Sequence, residues 1–86
     1  MTKSFLGNDA AVLQLLQDFD EELKHVTGYL RPSAQQKVRL ALETALLAHH
    51  GQARRSGEPY ITHPVAVAKI LADSNMDAST VIAGLL

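Results

Sequence analysis

No cysteine occurs in this 86-residue chain, so neither a disulfide framework nor a Cys-type zinc site supports its core. Charge of one sign is missing too: eight Lys and Arg stand against nine Asp and Glu, a formal net charge of −1. That balance gives no general electrostatic footprint for nucleic acid or for an anionic membrane. Long apolar runs are absent, and the longest uninterrupted ones are far too short to span a bilayer. Lys3 is followed by no apolar core, and Asp9, Asp18 and Asp20 come early, which argues against a secretory signal or a transit peptide. Internal repeats, low-complexity tracts and linker-like segments are lacking. What remains is a globular balance, 47% hydrophobic and 20% charged, unlike that of a disordered chain. At this length only roughly 60–65% of the unfolded surface is buried on folding, near the lower limit for an independent core. The expectation is one small soluble, cytoplasmic domain, or a piece of one.

The pattern is helical almost throughout. Val12, Leu15, Leu16, Phe19, Leu23 and Val26 recur at spacings of three and four, one apolar stripe down a helix. Asn8 or Asp9 is placed to cap its start and Gly28 to end it. Arg31-Pro32-Ser33 breaks the chain, and Ser33 with Gln36 forms a capping-box pattern that opens a second helix. Its stripe is Ala34, Val38, Ala41, Leu42, Ala45 and Leu46, with Gly51 expected to close it. Tyr60-Ile61-Thr62 reads as extended at best, because His63 precedes a proline and avoids the helical region. Pro64 suits the first turn of a third helix capped by Thr62 or His63. Val67, Ile70 and Leu71 are that helix's expected buried side, and Asp73-Ser74-Asn75 its end. Asp77 or Ser79 caps a fourth helix carrying Val81, Ile82, Leu85 and Leu86. No Gly, Asn or basic turn closes it, and a bare Leu-Leu end is a poor place for a domain to stop. The chain is therefore expected to be truncated.

Chemistry concentrates in residues 49–64. Arg54-Arg55-Ser56-Gly57 puts two guanidinium groups, a hydroxyl and a glycine in one loop past a helix end. Guanidinium forks match phosphate oxygens and stack on flat bases, although a solvated turn is the simpler reading of an Arg-Arg pair by itself. His63 is the second candidate: imidazole is the commonest metal ligand, and the rigid proline after it would fix its approach. Taken alone, a His before Pro reads as a cap or turn residue. His49 and His50 are adjacent on a helix end and point to different faces, so they do not chelate together. His25 sits near the end of the first helix, where the dipole suffices to explain it. Tyr29 and Tyr60 read as packing residues with satisfied hydroxyls. No His-Glu-x-x-His, paired-carboxylate motif, glycine-rich phosphate cradle or Ser/His/Asp ordering is present.

The stretch Ala48-His49-His50-Gly51-Gln52-Ala53-Arg54-Arg55-Ser56-Gly57-Glu58-Pro59-Tyr60-Ile61-Thr62-His63-Pro64 changes the weighting. It closely resembles the start of the hydrolase domain in RelA/SpoT-type (p)ppGpp synthetase/hydrolases. The family pattern there runs Ala-His-x-Gly-Gln-x-Arg-basic-Ser-Gly-Glu-Pro-Tyr-Ile-x-His-Pro, and every fixed position is matched. The resemblance extends from about Leu40 to Leu86, through Ile70-Leu71-Ala72, Asp77, Thr80 and Ala83-Gly84-Leu85-Leu86, and is only topological over the first helix.

That resemblance implies an all-α fold of the HD-type metal-dependent phosphohydrolase class, of which only the N-terminal helices are present. Residues 1–32 would be a helical leader and 33–86 the start of the hydrolase domain, cut before the His-Asp pair that names the fold. His63 would be the first of four Mn²⁺ ligands. Arg54, Arg55 and Ser56 would form part of the guanine-nucleotide pocket, with Arg54 packing on the base. His49, Gly51, Gln52, Glu58, Pro59 and Tyr60 would shape the loop. The parent would hydrolyse (p)ppGpp to GDP or GTP and pyrophosphate, with a metal-activated water as nucleophile, and would carry the rest of the hydrolase domain and a synthetase domain. With one ligand of four, residues 1–86 are not expected to hold the Mn²⁺ and are expected to be inactive alone. The competing reading is a naturally short, non-catalytic helical module that binds guanine nucleotide or a partner protein, with Val81, Ile82, Leu85 and Leu86 as an exposed docking patch.

Overall fold

A computed structural model describes residues 10–49, 52, 57 and 59–86. Among these lie four helices and no strand: α1 (Ala10–Val26), α2 (Pro32–Ala48), α3 (Thr62–Asp73) and α4 (Ala78–Leu85). Going round the bundle, α1 packs on α2, α2 on α4, α4 on α3, and α3 back on α1. The backbone extents are 32 × 31 × 18 Å, so the body is only about two helix diameters thick. The all-α expectation is met.

The two long stripes fall where the periodicity puts them. Val12, Leu16 and Leu23 of α1 are buried, and Leu15, Phe19 and Val26 flank them half-buried. Val38, Ala41, Leu42, Ala45 and Leu46 of α2 are buried, with Ala34 half-buried. Leu16 and Leu23 join one cluster with Leu42, Val65, Val81 and Leu85, so α1 shares its core with the other three helices. The Lys69 ammonium adds an ion pair to Glu22 at 2.7 Å between α3 and α1, which at this exposure contributes little.

Helix ends depart from the expectation in three places. The Asn8 or Asp9 cap and Gly51 lie outside the described residues. Gly28 follows the end of α1 but is not in the left-handed region. Instead the buried Thr27 hydroxyl donates to the Leu23 carbonyl at 2.6 Å. Gln35 of α2 then reaches across, its side-chain amide donating to the Thr27 carbonyl at 3.1 Å and the Lys24 carbonyl at 3.4 Å. The Leu23 carbonyl is thus served by Thr27 itself, and those of Lys24 and Thr27 by the neighbouring helix.

The Ser33–Gln36 capping box does not form. Arg31 occupies the cap position with no side-chain cap bond, and Pro32 opens α2, where its missing N–H costs nothing and its fixed φ is already helical. Ser33 is consequently two residues past the cap position.

The third departure is the entry to α3. Tyr60 and Ile61 form a turn and Thr62 and His63 are already helical, rather than extended or capping. Thr62 N–H donates to the Pro59 carbonyl, His63 N–H to Tyr60 and Val65 N–H to Ile61, at 3.0–3.2 Å. The third position is Pro64, which has no N–H. Every first-turn donor is therefore satisfied or absent without a side-chain cap, and this outweighs the pre-proline preference at His63.

The buried face of α3 is also corrected. Pro64, Val65, Ala68 and Ala72 are buried, whereas Val67 and Leu71 are half-buried and Ile70 is 67% exposed. The reason lies on α4: a Cβ on Gly84 would stand 2.8 Å from Leu71 Cδ1, 3.4 Å from Val67 Cγ1 and 3.6 Å from Ala68 Cα. Two helices approach this closely only where small residues meet.

The α3–α4 connection follows the sequence closely. Asn75 sits at φ 58°, Met76 N–H donates to Leu71 and Asn75 N–H to Ala72, the paired bonds of a Schellman ending. Asp77 then caps α4 by accepting from Thr80 N–H at 2.9 Å, and hydrogen bonds from Thr80 hold its carboxyl below the usual carboxylate range. The Tyr29 hydroxyl donates to the Met76 carbonyl. Partial burial, and then the Asp77 charge, push that phenol above its ordinary value. On α4, Val81 and Leu85 are fully buried, Ile82 is half-buried and Leu86 is 69% exposed. Two of the four residues of the competing reading's docking patch, Val81 and Leu85, are thus core and not exposed.

Candidate functional site

The site is built where α2 hands over to α3. α2 ends at Ala48 and His49 follows as its cap residue, with N–H bonded back to Ala45. Gln52 N–H donates to the His49 carbonyl at 3.0 Å, and the Gln52 carbonyl in turn accepts from Tyr60 N–H at 3.0 Å. That second bond ties the two ends of the intervening segment together, three residues before His63. Gly57 stands at φ 94°, a left-handed conformation that glycine adopts without strain.

The side chains continue the tie. His49 Nδ1 lies 3.1 Å from Gln52 Oε1, and the His49 ring packs on Tyr60 with centroids 4.4 Å apart and planes tilted by 30°. Tyr60 meets His63 edge-on at 6.3 Å and 66°. Beneath them Ile61 is buried in the common core, and the Thr62 hydroxyl donates to the Pro59 carbonyl at 2.9 Å. His63 is exposed between this braced turn and the buried Pro64. A Gln52–His49–Tyr60–His63 row therefore runs from the end of α2 to the head of α3. The loop-shaping reading of His49, Gln52 and Tyr60 has direct contacts behind it. The row itself was not read from the sequence; the one clue is that aromatic or imidazole residues stand on both sides of the glycine-rich segment.

Arg54, Arg55 and Ser56, like Gly51 and Glu58, lie outside the described residues. His63 presents an accessible imidazole, a suitable single donor for a divalent metal. Among the described residues no three His, Asp or Glu side chains come together as a metal site. The described residues thus offer His63 as one donor and no coordination sphere.

An all-helical scaffold that carries an exposed histidine at the head of its third helix, beside a tied loop, defines a class and not yet a family. The HD domain family model matches residues 41–86, which include the whole site and more than half of the chain. The chain belongs to the HD domain family. It is 50% identical over 66 residues to a protein of Oryza sativa subsp. japonica named as a chloroplastic GTP diphosphokinase, covering 77% of this chain and 7% of that protein. It is 53% identical over 61 residues to the bifunctional (p)ppGpp synthase/hydrolase SpoT of Escherichia coli K12, covering 71% and 9%. A GTP pyrophosphokinase of Streptomyces antibioticus is 47% identical over 57 residues, covering 66% and 7%. The chain thus spans less than a tenth of the length of these relatives. The resemblance to RelA/SpoT-type proteins holds at the level of named relatives.

Among the described residues no helix is long and apolar enough to cross a membrane.

Proposed function

We propose that this chain is the opening part of the hydrolase domain of a long guanosine 3′,5′-bis(diphosphate) 3′-pyrophosphohydrolase and GTP pyrophosphokinase. The observation that carries the reading is the HD domain match over residues 41–86, joined to relatives whose names are those of (p)ppGpp and GTP enzymes. In the whole protein water would displace the pyrophosphate from the 3′ oxygen of (p)ppGpp, leaving GDP or GTP. Arg54 would lay its flat guanidinium on the guanine base, and Arg55 and Ser56 would complete that side of the pocket. The Gln52–Tyr60 backbone bond supports the part of this reading that concerns His63, because it braces the turn that presents that imidazole. His63 would be one Mn²⁺ ligand, the others coming from chain beyond these 86 residues. The reading puts the protein in the cytoplasm, beside the GTP pool, with a synthetase domain and the rest of the hydrolase domain as its partners in the same chain.

The test uses the longest natural product that contains residues 1–86, with ppGpp and Mn²⁺, and measures released pyrophosphate. His63→Ala should abolish release with the fold intact, and Arg54→Ala should raise KM more than it lowers kcat. Full activity in His63→Ala would refute the assignment. Residues 1–86 alone should release none, and manganese-dependent release from them would show that one ligand suffices.

A further inference from the structure

His63 has its backbone fixed on both sides. Its N–H is bonded to the Tyr60 carbonyl, and Pro64 behind it is buried in α3. Its side chain is exposed, and an exposed imidazole on a fixed backbone still samples several rotamers. Among the described residues the one ring that meets it is Tyr60, edge-on at 6.3 Å. Tyr60 is itself 37% exposed, and it is held from behind by the His49 ring at 4.4 Å. His49 is held in turn by Gln52 through Nδ1. Gln52 grips the same turn a second time, through the Tyr60 N–H. The Gln52 side chain, through His49, and the Gln52 carbonyl thus both brace Tyr60, and among the described residues Tyr60 is the one ring placed to choose an orientation for His63.

We propose that Tyr60, backed by His49 and Gln52, is the positioning residue that holds the His63 imidazole in a single orientation at the head of α3. It acts by ring packing and not through its hydroxyl. Its use in metal binding rests on the reading of His63 given above, but the orientation itself does not. Ligand groups must be held within a narrow range of angles for a metal to bind well, and the neighbours that hold them set affinity without touching the ion.

The test is ring NMR on the 86-residue chain, with circular dichroism to verify that each variant folds. Wild type should give cross-peaks between the Tyr60 and His63 rings and one dominant His63 rotamer. Tyr60→Phe should keep both. Tyr60→Leu should lose the ring-current shift at His63 and weaken its rotamer preference, roughly two- to tenfold as expected for one aromatic pair. His49→Ala should do the same more weakly. A folded Tyr60→Leu with unchanged His63 shifts and couplings would overturn the proposal, and so would a Tyr60→Phe as defective as the leucine variant. Mn²⁺ added alone separates this from the metal assignment. Paramagnetic broadening centred on His63 in wild type and reduced in Tyr60→Leu supports both. Absence of broadening at His63 in wild type is what one ligand of four gives in this chain, and the ring data alone then decide the orientation.

Discussion

Leu85 and Leu86 are chemically identical neighbours with opposite fates, and substituting each in turn tests the placement of α4. Leu85 is 0% exposed within the common cluster, and Leu86 is 69% exposed. Full burial of a leucine side chain contributes about 1.5–3 kcal/mol relative to exposure. Leu85→Ala forfeits most of that and leaves a cavity between α2, α3 and α4, for an expected loss of about 2–5 kcal/mol. Leu86 has about a third of its surface covered, so Leu86→Ala forfeits under about 1 kcal/mol and opens no cavity. For a chain of this size total stability is on the order of 4–13 kcal/mol, so the first change is severe and the second minor. Urea unfolding followed by circular dichroism reads the difference. With a slope near 1 kcal/mol/M, about the low end for small proteins, Leu85→Ala should lower the midpoint by about 2–5 M or abolish the transition. Leu86→Ala should move it by less than about 1 M. Equal losses at the two positions would mean that α4 is rotated from its described register, and the assigned core would fall with it.

Two further outcomes follow from the helix ends. Gln35→Leu removes the donor that serves the Thr27 and Lys24 carbonyls and should cost about 1–2 kcal/mol in the same assay, whereas Ser33→Ala and Gln36→Ala should be near neutral; a larger loss at Ser33 or Gln36 would restore the capping box. Asp77, whose carboxyl is held low by Thr80, adds stability that is fully present above the ordinary carboxylate value near 3.9 and is lost as pH falls through its lowered native value. Asp77→Asn keeps an acceptor for Thr80 N–H but does not titrate there, so its midpoint should fall less steeply with acid than wild type; parallel curves would deny the Asp77 carboxylate that role.

The helical stripes of α1 and α2, the end of α3 near Asp73-Ser74-Asn75 and Asp77 as one of two candidate caps of α4 were legible in the sequence, because each is decided within one or two turns by period, φ preference or a single side-chain acceptor. The loop motif was legible for the same reason: its glycines and prolines mark the segment, and its fixed pattern points to a family. Three things depended on contacts between distant residues. The end of α1 looks like a glycine cap, yet the donor that serves it is Gln35, eight residues beyond Thr27. The buried side of α3 looks like Ile70 and Leu71, since hydrophobicity ranks them above alanine. The close approach of Gly84 instead sets Ala68 against α4, with Val67 and Leu71 half-buried beside it, and leaves Ile70 in water. The row from Gln52 to His63 needs α2 and α3 to meet before its rings can touch. Local preference fixes which segments are helices and where most of them stop. Which of several apolar faces is buried, and which side chains become neighbours, depends on the shape of the partner helix, and a one-dimensional pattern does not contain it.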